Sequence, residues 1–314
     1  MLIATLPTLT SNASTALANR IIAHRLVGAV RYNTGGDSPY NPEMILENLK
    51  YVTDVHKKTL YVDLEGRQIR VAKWSPYSNG TVTLNRDFDI ELPGIIHFRG
   101  AGWFDIKNVK PAERKIYIKP RDTSREHYFG ESQSAHIVAK NFAVKGYLGG
   151  LDKKYIKAAS DLGLDNFMLS FVENEADIAE FVHEYFSSGR TDLPSFVAKI
   201  ESRKGVDAVR SGSVSIARLM AARDDLFLAY VHNRHEFLDA VKLIIDTDPK
   251  AILASHIMSG LEQKGEVTPG DMADLALMRQ YGYKSFMFSD GMAHHFDEAM
   301  EDWENIILPI ISKN

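Results

Sequence analysis

Short apolar runs alternate with longer amphipathic stretches along most of the chain. The runs at residues 2–6, 26–31, 59–63, 166–170, 195–201, 216–223, 251–256 and 285–289 have the length and composition of buried strands. Between them the spacing predicts helices over residues 12–24, 42–57, 152–162, 173–186, 205–211, 232–246 and 269–281, and a last helix through Trp303. Eight strands with helices between them predict an α/β fold, a (β/α)8 TIM barrel. A doubly wound open sheet is the alternative, but no G-x-G-x-x-G follows the first strand.

Residues 71–145 break this rhythm. GTVTLNRDFDIEL, GIIHFRG, RKIYIKP and SAHIVAKNFAV are short alternating runs separated by Gly, Pro and Asn, the pattern of a small all-β domain. The expected organisation is a barrel of residues 1–70 and 146–314 with a β-rich lid domain, 71–145, inserted after strand three. That places the insertion at the C-terminal face, where barrel active sites lie, so it reads as a lid that excludes water. A decorative insertion or a dimer contact is the ordinary alternative. Arg114, Lys115, Lys119, Arg121 and Arg125 form a basic stretch in it, read as a solvated ribbon.

Composition narrows the function classes. The 314 residues are 45% hydrophobic and 25% charged, with a net charge of -4, so nothing pulls the chain globally toward nucleic acid or anionic lipid. There is no cysteine, which excludes disulfides, thiolate nucleophiles and thiolate-bound metals. No apolar window approaches the roughly 18 residues of a transmembrane helix, and the N-terminus has no basic region ahead of an apolar core. A cytoplasmic homo-oligomer that binds neither membrane nor nucleic acid is expected.

Residues i and i+2 of a strand share a side, so polar residues at the C-terminal ends of the strands carry the candidate chemistry. These are Arg31 and Asn33, Asp63, Lys199 and Glu201, Arg223 to Asp225, Ser255 and His256, and Ser289 and Asp290. Glu201 and Asp225 lie one βα unit apart and suit a hard divalent cation, which takes one or two protein carboxylates. Lys199 and Arg31 beside it suit a small di- or trianion and stabilise negative charge developing on oxygen. Taken singly, a Lys–Glu pair is usually a structural ion pair and an Asp at a strand end a helix cap. Their gathering at one end of different strands favours a joint site.

The same residues carry a resemblance. FVAKIESRKGVDAV resembles the KIE-x-x-x-G-(V/I)-x-N segment of pyruvate kinase, and ARLMAARDDLFLAY its I-M-V-A-R-G-D-L-G segment. VGAVRYNTGG is similar to A-R-(L/F)-N-F-S-H-G, TLYVDLEGRQIRV to L-D-T-K-G-P-E-I-R, ILASHIMSGLE to A-T-Q-M-L-E-S-M and KSFMFSDGMAHH to A-V-M-L-S-G-E-T. Order and spacing agree along the barrel, and no residues remain for that family's C-terminal domain, so its effector site is expected to be absent. The resemblance implies a member of the phosphoenolpyruvate/pyruvate-binding barrel superfamily. Glu201 and Asp225 would hold Mg²⁺ or Mn²⁺, and Lys199 would stabilise the transferring phosphoryl group or the enolate. Arg31 would contact phosphate, and Asn33 and Asp63 would belong to a K⁺ site. Arg70 would lie at the nucleotide phosphates, and Ser255 would replace a Thr that helps position the carboxylate and the proton donor. Ala222 and Arg223, with Asp225, match the turn whose backbone N–H groups hold the substrate carboxylate.

The departures fall on the nucleotide and alkali-ion elements. Gly35 and Gly36 replace Ser-His, Leu64-Glu65 replace Thr-Lys, Arg67 replaces Pro, and Asp224 and Phe227 replace two Gly. The leading expectation is a Mg²⁺-dependent enzyme that transfers a phosphoryl group to or from a phosphoenolpyruvate- or pyruvate-type substrate, with a nucleotide an open candidate partner. One alternative is a metal-dependent C–C lyase or aldolase of the citrate-lyase β-subunit and 2-keto-acid aldolase type, whose G-x-x-D-L is similar to ARDDLFLA. The other is a non-catalytic ligand-binding pseudoenzyme.

Overall fold

The computed structural model describes residues 1–73, 80–122 and 130–312; Arg125 lies outside them. In chain order the first strands are β1 (Leu2–Thr5), β2 (Val27–Asn33) and β3 (Thr59–Leu64). Next come β4 (Ile69–Lys73), β5 (Thr81–Leu84), β6 (Phe88–Phe98), β7 (Gly102–Lys110), β8 (Lys115–Pro120) and β9 (Ser134–Val144). The last are β10 (Asn166–Leu169), β11 (Ser195–Ile200), β12 (Arg218–Ala222), β13 (Ile252–Ala254) and β14 (Ser285–Met287). Two compact units divide the chain, Met1–Leu64 with Gly150–Asn314, and Glu65–Gly149; the sequence pattern drew the corresponding boundaries at 70/71 and 145/146.

The first unit is a closed parallel barrel of eight strands in the order β1-β14-β13-β12-β11-β10-β3-β2. Its interior is filled by Ile3, Ala29, Tyr61, Met168, Val197, Met220, Ile252 and Met287, together with Ala222 and Ala254. Each strand offers one or two of these, as a layered barrel core requires. The helices of this unit are α1 (Asn12–Ala23), α2 (Pro42–His56), α3 (Gly150–Asp161), α4 (Glu175–Ser187), α5 (Arg203–Ser211), α6 (Arg223–Ala229), α7 (Phe237–Thr247), α8 (Ser259–Lys264), α9 (Pro269–Tyr281), α10 (Phe296–Asp302) and α11 (Leu308–Ile311). Their starts are written in the sequence. Ser11 with Ser14, and Thr268 with Asp271, form reciprocal capping boxes, while Asn41 caps α2 ahead of Pro42.

Several expected boundaries move, and short helices that the pattern did not announce appear at Arg223–Ala229 and Ser259–Lys264. The sixth strand was expected to reach Arg223, but β12 ends at Ala222 and Arg223 opens α6. Asp224 and Asp225 fall in the first turn of that helix, where carboxylates suit the positive end of the helix dipole. The helix expected from residue 232 starts at Phe237, after a 3-10 turn at Arg234–Glu236. There Asn233 Nδ2 donates to Glu236 Oε1 at 2.6 Å, and that local bond competes with helical pairing. The last helix continues past Trp303 through a π turn at Trp303–Ile307 into α11. Pro309 lacks an N–H and crowds the carbonyl four residues earlier, which accounts for the widened turn.

The second unit is a closed antiparallel barrel in the order β4-β5-β8-β7-β6-β9. Inward and outward positions alternate cleanly in β5 and β8, and Phe88, Ile96, Phe98, Phe104 and Ile116 fill its core. No helix among the described residues is long and apolar enough to cross a membrane.

Candidate active site at the strand ends

The barrel core and the polar cluster are joined by the two-residue period. Two residues beyond the core residues Ile3, Ala29, Tyr61, Met168 and Val197 stand Thr5, Arg31, Asp63, Ser170 and Lys199, and all five are buried. Each points to the side its core neighbour fills. Glu201 follows Lys199 by two more and is also buried, as is Asp225 in the first turn of α6.

Asp63 is the hub. Its Oδ2 accepts from Arg31 Nε at 2.7 Å, contacts Arg31 NH2 at 2.5 Å and lies 3.3 Å from Lys199 Nζ. Its Oδ1 accepts from Ser170 Oγ at 3.3 Å. Lys199 Nζ donates to Ser170 Oγ at 2.8 Å and lies 3.3 Å from Glu201 Oε1. Glu201 Oε2 accepts the Phe171 N–H at 2.8 Å. Phe171 makes that bond from the left-handed region, φ 52°, a conformation a bulky residue keeps only where its surroundings enforce it.

Two cationic and three acidic side chains are thus buried together, one negative charge in excess. Burial works against the Lys199 ammonium, but Asp63 and Glu201 outweigh it and raise its pKa above the ordinary value. Burial likewise opposes charge on Arg31, and Asp290 and Asp63 overcome it, so its pKa also rises. Burial pushes the Glu201 carboxyl up to about 7; Lys199 pulls against this, and the charges of Asp225 and Asp63 add to it. An apolar barrel layer would cost less than these charges, and strongly shifted groups in one cluster are characteristic of working sites.

The structure also shows what each remaining candidate touches. Arg31 NH1 donates to Asp290 Oδ1 at 2.7 Å, and Asn33 Nδ2 donates to the same oxygen at 3.1 Å. Asp290, from beyond β14, therefore closes the ring of strand ends, a role its sequence position alone did not reveal. The side chain of Arg223 has a structural task. Its Nε and NH2 donate to the Ser255 carbonyl at 3.1 and 2.7 Å, and its NH1 donates to both Asp274 oxygens at 2.7 and 2.9 Å. Ser255 and His256 both have left-handed backbone, φ 65° and 55°, and His256 Nε2 lies 2.9 Å from Asp224 Oδ1. Ala222 ends β12 and precedes α6. Arg70 belongs to the second unit. There its Nε pairs with Glu65, its NH1 donates to the Ser132 carbonyl at 2.8 Å and its NH2 to Gln68 Oε1 at 2.6 Å. Ser170 and the Phe171 N–H are site groups that sequence reading missed; Ser170 stands two beyond the core residue Met168, and that spacing was the available signal.

No family model and no curated protein matches the chain. Among solved structures, a pyruvate kinase from Pyrobaculum aerophilum superposes with a TM-score of 0.70 at 15% identity, over 97% of this chain and 73% of that one. The fold is pyruvate kinase-like. At that identity the likeness concerns the path of the chain alone. Among the described residues, no group of three or more His, Asp or Glu is arranged to hold a metal ion.

Proposed function

We propose that the barrel site binds the enolate of a phosphoenolpyruvate- or pyruvate-type substrate together with Mg²⁺ or Mn²⁺, and transfers a phosphoryl group to or from it. The observation that carries this reading is the buried Lys199, 3.3 Å from Glu201 at the end of β11, with Asp225 close enough to shift the same carboxyl. The donor set suits the ion. Glu201 and Asp225 are hard oxygen ligands, and Mg²⁺ typically takes only one or two protein carboxylates. Burial drives Glu201 up to about 7, and the charges of Asp225 and Asp63 add to it; a divalent cation would relieve that added repulsion. Such an ion supplies Lewis-acid stabilisation of charge on the enolate oxygen.

The protein's own groups do the rest. Lys199 keeps its N–H groups on Ser170, Asp63 and Glu201; the donor facing Glu201 is the one that turns to the enolate or transferring oxygen. Arg31, locked by Asp63 and buried, contributes a fixed positive charge to the anion beside it. A site of this kind works by positioning and electrostatics, with little covalent chemistry asked of the protein.

One observation favours a second reading, a metal-dependent C–C lyase or aldolase with the same enolate. The Arg70 guanidinium, expected at nucleotide phosphates, is engaged through all three of its nitrogens within its own unit. Calorimetry with Mg²⁺ and oxalate, an enolate mimic, tests the shared core. Binding is expected, with E201A/D225A abolishing it; no binding at millimolar oxalate overturns both readings. Transfer from phosphoenolpyruvate across a nucleotide panel, set beside release of pyruvate from 2-keto-acid aldols, then separates them. K199M is expected to lose transfer.

A further inference from the structure

The rim of the barrel holds a pair of titratable side chains that the reading above does not use. Strands β12 and β13 are paired in register at Ala222 and Ala254. Two residues beyond each stand Asp224 and His256, and the level register brings His256 Nε2 to 2.9 Å from Asp224 Oδ1. The pair stays accessible, with side-chain exposures of 44% for His256 and 33% for Asp224.

The backbone beneath is fixed from two directions. Arg223, next to Asp224, donates twice to the carbonyl of Ser255, next to His256, and is itself anchored on Asp274. Ser255, His256 and Met258 all have left-handed φ, 65°, 55° and 58°. Non-glycine residues are strained there and collect where function needs them. Asp224 directly precedes Asp225, one of the two carboxylates assigned to the cation, in the first turn of α6.

An imidazole that donates Nε2–H to a carboxylate is held in one orientation and one tautomer, with its lone pair on Nδ1. We propose that His256 is the general acid–base residue of this site, oriented by Asp224, and that it moves the proton at the methyl carbon of a pyruvate-type substrate. The proposal rests on the enolate reading above. In the forward direction Nδ1 takes a proton from the methyl carbon. The C–H electron pair becomes the C=C bond of the enolate, and the carbonyl π pair moves onto the oxygen that Lys199 faces. In reverse the imidazolium returns the proton to carbon. No oxidant or further reactant is needed.

The test is exchange of the pyruvate methyl protons with D₂O, followed by proton NMR with Mg²⁺ and the full-length protein, alongside oxalate affinity by calorimetry. The wild type is expected to exchange. H256Q is expected to slow exchange by about a hundredfold or more, the usual scale of general acid–base catalysis, while binding oxalate within about threefold of the wild type. D224N is expected to slow exchange too. In the metal-free, ¹⁵N-histidine-labelled protein, it should also shift the His256 tautomer from Nε2–H, a change that loss of packing would not produce. Exchange unchanged in H256Q overturns the role of His256, and so does a wild type that binds oxalate without exchanging. A wild type that does not bind oxalate overturns the enolate reading, and this proposal with it.

Discussion

The buried charge cluster makes the stability of the metal-free protein depend on pH in a direction opposite to that of most carboxylates. Glu201 is raised from 4.5 to about 7, by burial first and then by the charges of Asp225 and Asp63, against the pull of Lys199. Between those two values the folded state holds a proton that the unfolded state has released. Stability therefore falls as pH rises through this window and levels off above about 7. A span of about 2.5 units at 1.36 kcal/mol each amounts to a loss of about 3 kcal/mol. Urea unfolding in EDTA at pH 5, 6, 7 and 8 measures it. D225N removes one of the charges that push Glu201 up, so its stability should fall less steeply over the same range than the wild type's. Comparing the two curves cancels the histidines that titrate in both. Mg²⁺ at about a hundred times its Kd should return about 3 kcal/mol to the wild type at pH 8, and much less to D225N. A D225N curve as steep as the wild type's, or steeper, would refute the electrostatic account of the cluster.

Two further outcomes follow from the packing. R223A leaves the half-buried Asp274 and the Ser255 carbonyl without their donor and should cost about 3–5 kcal/mol in the same urea assay; a loss under 1 kcal/mol would mean that the strap carries no load. G205A sets a Cβ 2.8 Å from the Val172 carbonyl oxygen in the first turn of α5. It should cost about 1–3 kcal/mol by overpacking, seen as a lower urea midpoint, in spite of alanine's better helix propensity.

The two-residue spacing along strands was legible before any coordinates. It joins Val197 to Lys199 to Glu201, and Ala29 to Arg31, through one local rule of strand geometry, and so the barrel class, the inserted β-rich segment and most of the charged cluster could be read from the chain. Helix caps at Ser11, Asn41 and Thr268 are also local, although the periodicity named none of them. What needed the folded structure was which strand ends meet. Closure of the barrel brings Asp290, from the last strand end, onto Arg31 and Asn33, a contact across more than 250 residues that no local pattern encodes. It also turns the Arg223 side chain onto Ser255 and Asp274, because a helix that the apolar run did not announce begins at Arg223. The sequence by itself determined the order of the barrel strands and the kinds of group at their ends, since both follow from short-range periodicity. The tertiary structure alone decided their partners, from the Phe171 N–H on Glu201 to the pairing of Asp224 with His256, because strand register and left-handed turns are set by contacts far apart in the chain.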